Sequence, residues 1–525
     1  MNAIAFGDLQ VLEDLADQWW FELPARFGSE LLGLLETLPA SVVAGRPRLL
    51  MAGVLAHQLV AEHDGRGLRA AMRLFEMHGA RLSRHLSSFS HPSDVVAAGA
   101  LAMHAARFRG QHEVAEKIGA WIEDRLMQVD DPGMLPWSRD RLAGRPGLIA
   151  LHRGVAAMLA GRPAVAMGHL QRAYEQAGPP PFQHFASASA CANLALLAAA
   201  RGHHAMAEAW LERMRRCGPV EDWLERHLLL AATVARALIA IDRLDSAAAA
   251  KALDQAGNGE EPDELWPFVA AAHVAYAVTF GEPIGGLLHL DAACFAHGMG
   301  ARPGLGATPV LLRAHADLLS AMGEANRVVA LAEADGTSQL LVPAARVRLL
   351  SGDNGGALAV ARRAMRDATV TPRDALELLL IVSVVHLRSG EFDDARVGFA
   401  RAVDYGRQGL LSSFALLPQD EVLDLCRRTG TDPRTLGLTP ATVGAGRVRV
   451  SVPIVVLTRR ERAVLAGLAA GASPVQIAAD SGVSINTVRT QIRKVYRKLD
   501  VTNRTSALTR AEHLGLIPLE APRNH

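Results

Sequence analysis

Apolar residues along most of this chain recur every three or four positions, and strict alternation is scarce. That spacing lines one face of a helix and predicts an almost wholly helical protein. The pattern breaks at short glycine, proline or polar clusters, such as Gly178-Pro179-Pro180-Pro181 and Gly257-Asn258-Gly259. It is sharpest from Leu457 to Ile517, where four helix signals follow one another. Thr458 and Glu461 make a Thr-x-x-Glu capping box, in which each side chain satisfies the other residue's backbone N–H, and Gly471 supplies the stop. Ser473, Pro474 and Gln476 open a second helix, and Ser481-Gly482-Val483 reads as a tight turn. A third helix runs from Ser484 to near Leu499, and a fourth from near Thr505 to Leu514, before Gly515.

Two capped helices joined by a short glycine-containing turn are the helix-turn-helix pattern. On the third helix, Val488, Ile492, Val495, Tyr496 and Leu499 share one stripe, which predicts its core side. Arg489, Arg493 and Arg497 fall four apart on the other side, with Asn486 and Thr490 beside them. A helix of this kind fits a major groove, where arginine reads guanine edges through paired hydrogen bonds. Arg489, Thr490 and Arg493 stand in the early turns, where a recognition helix meets bases. Lys494, Arg497 and Lys498 stand farther along and suit phosphates, as do the helix starts at Ser473 and Ser484. A merely solvated basic face is the competing reading; the coincidence of caps, turn and basic stripe argues against it.

The stretch resembles the DNA-binding domain of the LuxR family of bacterial regulators. The matching residues are Leu457-Thr458, Arg460-Glu461, Val464-Leu465, Gly471, Ser473, Ile477-Ala478, Val483-Ser484, Thr487-Val488-Arg489, Lys498-Leu499, Val501 and Arg504. The resemblance implies a third helix in the major groove, with base contacts on Arg489, Thr490 and Arg493. Ser473, Asn486, Thr487, Lys494, Arg497 and Arg504 would hold phosphates. It also implies a dimer contact on the fourth helix, for which Ala507, Ala511 and Leu514 are the candidates, and two symmetric half-sites on double-stranded DNA. Pro474, Ser481 and Gln491 depart from the family pattern, Ser481 at the place of a core leucine.

Upstream, a turn residue recurs with a small residue five places on. The pairs are Gly65 with Ala70, Gly110 with Ala115, Gly161 with Ala166, Gly202 with Ala207 and Asp242 with Ala247. Gly281 with Gly286, Gly323 with Val328, Gly352 with Ala357 and Gly390 with Ala395 complete the series. Ala173, Ala293, Ala364 and Ala402 stand twelve places after four of these turns. Glycine closes one helix, and a small side chain lets the next approach closely, so stacked pairs bury a core no single pair can. The pattern resembles the tetratricopeptide repeat, with longer units. Leu38-Pro39, Arg46-Pro47 and Leu49-Leu50 resemble the opening of the helical region in MalT-like regulators. The ATPase module of such relatives is not expected: no lysine follows a glycine, so no phosphate loop can be written.

Charge sharpens the division. Residues 457–517 carry ten Lys or Arg against four Asp or Glu, a net +6, whereas residues 1–456 carry 44 against 49, a net −5. Positive charge is concentrated where nucleic acid would bind. Cys191, Cys217, Cys294 and Cys426 lack metal spacing and read as reduced core thiols of a cytoplasmic protein. No signal peptide is read at the start, and the apolar run Leu376–Val385 falls short of the ~18 residues a membrane span requires. His203-His204 and the other histidines form no metal motif, Gly298-x-Gly300 and Gly304-x-Gly306 complete no dinucleotide fingerprint, and no nucleophile motif is present. Trp19-Trp20 reads as core.

These observations predict an all-α protein. A TPR-like helical solenoid spans residues 1–430, a linker 431–456, a four-helix LuxR-type helix-turn-helix domain 457–517 and a tail 518–525. Arg447–Val452 alternates and fits a short edge strand. The expected function is DNA-binding transcriptional regulation, without cofactor, metal or catalysis, by a homodimer whose repeat region senses a protein or small molecule. The alternative is an interaction scaffold whose helix-turn-helix docks a protein partner instead of DNA.

Overall fold

The structure, a computed structural model, describes residues 4, 6–19, 22–64, 68–127, 147–178, 185–217, 222–261, 263–299, 308–438, 454–455 and 457–517. Every regular element among them is helical, as the periodicity predicts. From Pro92 to Gly406 the helices come in pairs, for example Leu148–Leu159 with Pro163–Gln176 and Ala186–Ala200 with His204–Arg216. The series continues through Asp222–Asp242 with Ser246–Ala256, Trp266–Phe280 with Pro283–Ala296, and Pro309–Ala321 with Ala325–Asp335. The first helix of each of these pairs packs on the first helix of the next, and each second helix wedges between two of them. The chain is thus a solenoid of helix pairs.

Composition explains the layering. Ala186–Ala200 is apolar on all sides, and every residue from Ala186 to Ala199 is buried. Its partner His204–Arg216 is amphipathic and buries Ala207, Trp210, Leu211 and Met214 while its arginines face outward. Inner helices meet neighbours all round; outer helices meet them on one stripe.

The small-residue rhythm marks where the helices touch. Gly110, Gly161, Gly202, Gly281, Gly323, Gly352 and Gly390 all have positive φ at the turn between paired helices. Ala115, Ala166, Ala207, Ala357 and Ala395, each five places on, are fully buried, as are Ala173, Ala293, Ala364 and Ala402. At Gly286 an added Cβ would come within 2.7 Å of the Ala277 Cβ, so this pair meets through a glycine. One turn differs from expectation. Asp242 ends its helix, and the left-handed residue is Leu244, with φ 60°, followed five places later by the fully buried Ala249. The expected pairing of Asp242 with Ala247 is therefore out of register by two, because leucine occupies the position that glycine fills elsewhere. Gly65 lies outside the described residues.

The solenoid also closes on itself. Arg107 Nε donates to Glu264 Oε2 at 2.7 Å across 157 residues, and Arg373 Nη2 donates to the Ala199 carbonyl at 2.9 Å across 174. Asp242 is fully buried and accepts from His204 Nε2 at 2.8 Å, Arg373 Nη1 at 2.7 Å and Ser412 Oγ at 2.6 Å. Successive turns of the superhelix are in contact through these pairs, and about four helix pairs separate the partners.

Three further expectations change. The solenoid continues past residue 430: Asp432 caps a short turn at Pro433–Leu436, and Leu436 and Leu438 are buried in its core. Residues 439–453, which hold most of the expected linker and the strand expected at Arg447–Val452, lie outside the described residues. Trp19 is 41% exposed at the end of the first described helix, so it is not core; Trp20 lies outside the described residues. Cys191, Cys294 and Cys426 are buried thiols, but Cys217 is only partly so. No described helix is long and apolar enough to cross a membrane.

Candidate nucleic-acid interface

The C-terminal domain is built from four short helices: Arg459–Ala469, Pro474–Ser481, Ile485–Leu499 and Arg504–His513. Both predicted capping boxes form. Thr458 Oγ1 accepts from the Glu461 N–H while Glu461 accepts from the Thr458 N–H, and Ser473 and Gln476 repeat the arrangement. Each box stabilises its helix start by roughly 0.5–2 kcal/mol. Gly482, left-handed with φ 63°, makes the turn into the third helix, and Ser484 caps that helix. Ser481 is exposed at the end of the second helix, so the serine leaves no hole in the core.

The third helix is held along one stripe. Val488, Val495 and Leu499 are buried, and Ile492 and Tyr496 are partly so. They pack on Val464, Leu468, Ile477 and Ala478 at one end and on Leu457, Leu465, Ala507 and Ala511 at the other. Each fully buried side chain of this size contributes about 1.5–3 kcal/mol. The opposite side is open. Asn486, Arg489, Thr490, Arg493, Lys494 and Arg497 are all exposed. Among the described residues, none of Arg489, Arg493, Lys494 and Arg497 has an ion-pair partner. The Thr490 hydroxyl is turned back onto the Asn486 carbonyl at 2.9 Å, and Ser484 and Thr487 share a hydroxyl contact at 2.8 Å.

Not every candidate reaches this face. Lys498 Nζ donates to the buried Glu461 at 2.6 Å, so it braces the first helix against the third. Burial works against the Glu461 charge, but Lys498 and the Thr458 N–H and hydroxyl outweigh it and hold the carboxyl below its usual range. Arg504 donates to the Leu468 carbonyl at 2.7 Å, a second bond to an oxygen that also accepts from the Gly471 N–H at the end of the first helix. Its role is therefore internal, at least for that donor. Ala507 and Ala511 are fully buried and Leu514 nearly so, all inside the domain's own core. They are not available as a dimer face, and Ser506, Thr509, Arg510 and His513 form the exposed side of that helix.

The domain rests on the solenoid at a place the sequence did not indicate. The Val455 N–H donates to Oδ1 of the buried Asn326 at 2.8 Å, and Ile454 packs against the neighbouring solenoid core. Arg462 pairs with Glu333 at 2.8 Å, and a Cβ added at Gly515 would run into the Arg327 side chain. All three solenoid residues lie on Ala325–Asp335. The basic face of Ile485–Leu499 takes no part in these contacts.

A capped helix-turn-helix with a free basic helix defines a nucleic-acid-binding class, and known proteins agree. Residues 455–511 match the family described as bacterial regulatory proteins, luxR family. Over 82 residues the chain is 42% identical to a protein of Hyphomicrobium methylovorum described as a probable transcriptional regulatory protein, SgaR. That match covers 14% of this chain and 39% of the relative, so the chain spans about two-fifths of the length of the protein it matches. The C-terminal domain is a LuxR-type helix-turn-helix.

Proposed function

We propose that the protein is a DNA-binding transcriptional regulator that inserts Ile485–Leu499 into the major groove. The observation that carries this reading is the set of four exposed, unpaired cations, Arg489, Arg493, Lys494 and Arg497, on a helix whose other side is fixed in the core. Arg489, Thr490 and Arg493 read base edges, and Ser473, Asn486, Thr487, Lys494 and Arg497 hold phosphates. Thr490 leaves the Asn486 carbonyl to do so. The protein acts as a homodimer on two half-sites. Footprinting of the full-length chain across its own promoter tests the reading directly. Affinity for the protected site falls with salt, with a log–log slope of about −0.9 per phosphate neutralised. Arg493→Ala costs about 1–3 kcal/mol at one base pair. Binding of every sequence as tightly as wild type by Arg493→Ala overturns the assigned face.

The solenoid is the sensor in this reading. A cleft of about 840 Å³ lies between its turns, walled by residues that include Arg107, Phe108, His112, Trp266, His297 and Thr308. His112 Nδ1 and Thr308 Oγ1 are buried there without a hydrogen-bond partner among the described residues. Pro309 at its rim begins the helix that precedes Ala325–Asp335, on which the DNA-binding domain rests. A molecule bound in the cleft changes the presentation of the domain only if it binds two spacings of the turns unequally.

A further inference from the structure

We propose that Cys191 and Cys217 form an oxidisable dithiol, which a hydroperoxide converts to a disulfide. Cys191 lies within the inner helix Ala186–Ala200 and is fully buried. Cys217 caps the C-terminal end of the paired outer helix His204–Arg216 and is partly exposed. Cys217 packs against the core cluster that contains Cys191, and each thiol bears on the other's ionisation, with Ser187, one turn before Cys191, also acting on Cys217. A buried thiol beside a partly exposed one is the arrangement of a resolving and an attacking cysteine.

The surroundings favour charge on Cys217. The neighbouring Cys191 thiol, opposed by partial burial and aided by Ser187, lowers the Cys217 thiol from its ordinary value. The Cys217 thiol, together with burial, pushes the Cys191 thiol far up. Arg213 and Arg216 are the nearby cations and Tyr174 the nearby phenol. As a neutral thiol Cys217 donates to the Arg213 carbonyl at 3.4 Å, a contact given up on ionisation. The other two cysteines lack this setting: burial, with Asp291 or Asp432 nearby, pushes Cys294 and Cys426 each up to about 11.

The chemistry balances. The Cys217 thiolate attacks the terminal oxygen of a hydroperoxide, the O–O bond breaks, and the departing alkoxide or hydroxide takes a proton. Cys217 becomes a sulfenic acid. The Cys191 sulfur then attacks the Cys217 sulfur, the S–O bond breaks, and hydroxide leaves with the Cys191 proton as water. Two thiols and one hydroperoxide give one disulfide, one alcohol or water, and one water. Thiolate reactivity rather than thiol content selects the site. The product would fasten the two helices of one pair together, on the inner helix whose Ala199 carbonyl is held by Arg373 of the next turn.

The full-length protein, treated with an equivalent of hydrogen peroxide, tests this by intact mass and non-reducing peptide mapping. The expected result is loss of about two hydrogen atoms, with the Cys191 and Cys217 peptides joined and released by dithiothreitol. In Cys191→Ala, dimedone traps Cys217 as its sulfenic acid adduct; in Cys217→Ala neither product forms. Oxidation of Cys294 or Cys426 before the pair, or wild-type protein left with both thiols free, overturns the proposal. Both of those readings come from wild-type protein and do not depend on the variants folding.

Discussion

Lys498 Nζ lies 2.6 Å from Glu461 Oε2, which removes one cation from the basic helix and assigns it to the domain's interior. Glu461→Gln keeps a capping side chain but deletes the charge. Because the folded carboxyl sits below its usual value, the charge stabilises the domain above the unfolded pKa, about 4.3, and that stability disappears as pH falls through the folded value. Thermal melts of wild type and Glu461→Gln should therefore differ near neutral pH and converge in acid. A gap that widened on acidification would contradict the assignment.

Arg489 and Arg497 stand on the same exposed side two turns apart, and their replacement should give different signatures. Arg489→Ala should lose about 1–3 kcal/mol of discrimination at one base pair. Arg497→Ala should weaken binding to all sequences alike and reduce the salt slope by about 0.9. Fluorescence anisotropy with the footprinted site and single-base variants, over a range of salt, separates the two.

The seat of the domain on Ala325–Asp335 contains one buried and one exposed polar tie. Asn326, 5% exposed, holds the Val455 N–H, a bond worth about 0.5–1.5 kcal/mol net. Arg462–Glu333 is half exposed on both sides, where such a pair contributes about 0.2–1 kcal/mol. Asn326→Ala should thus release the domain more than Glu333→Ala. Small-angle scattering would register the release as a larger radius of gyration, and amide exchange as lost protection at Val455. Equal effects would mean that Ile454 packing carries the contact.

What could be foreseen from sequence depended on how far apart the interacting residues lie. The capping boxes at Thr458 and Ser473 were legible because their partners stand three residues away. The buried stripe Val488, Val495 and Leu499 was legible because one helix face carries it. Lys498 and Arg504 were not, since their acceptors, Glu461 and the Leu468 carbonyl, come from another helix and charge alone does not name a partner. Ala507, Ala511 and Leu514 form an apolar face either way, and periodicity does not distinguish burial within a domain from burial in a dimer. The register at Leu244 was missed because a leucine, rather than glycine, adopts the left-handed turn there, at a cost of about 1–2 kcal/mol. The return of the superhelix was illegible altogether, resting on pairs such as Arg107 with Glu264.

Asp242 makes that return a matter of stability as well as shape. In a solenoid with only neighbour contacts, stability is a sum over adjacent units and unfolding can be piecemeal. Here one fully buried carboxylate gathers His204 from the preceding outer helix with Arg373 and Ser412 from the following turn. Removing one member of a buried ionic group costs about 3–5 kcal/mol, because the remaining charge is left without compensation. Asp242→Ala should therefore lower the urea midpoint and, more tellingly, raise amide exchange together in His204–Arg216 and Pro372–Arg388, which lie far apart in sequence. Asp242→Asn, which keeps the shape and some hydrogen bonding, should fall between. If exchange rose only around residue 242 and left Pro372–Arg388 protected, the turns would be held by other contacts and the ionic node would not couple them.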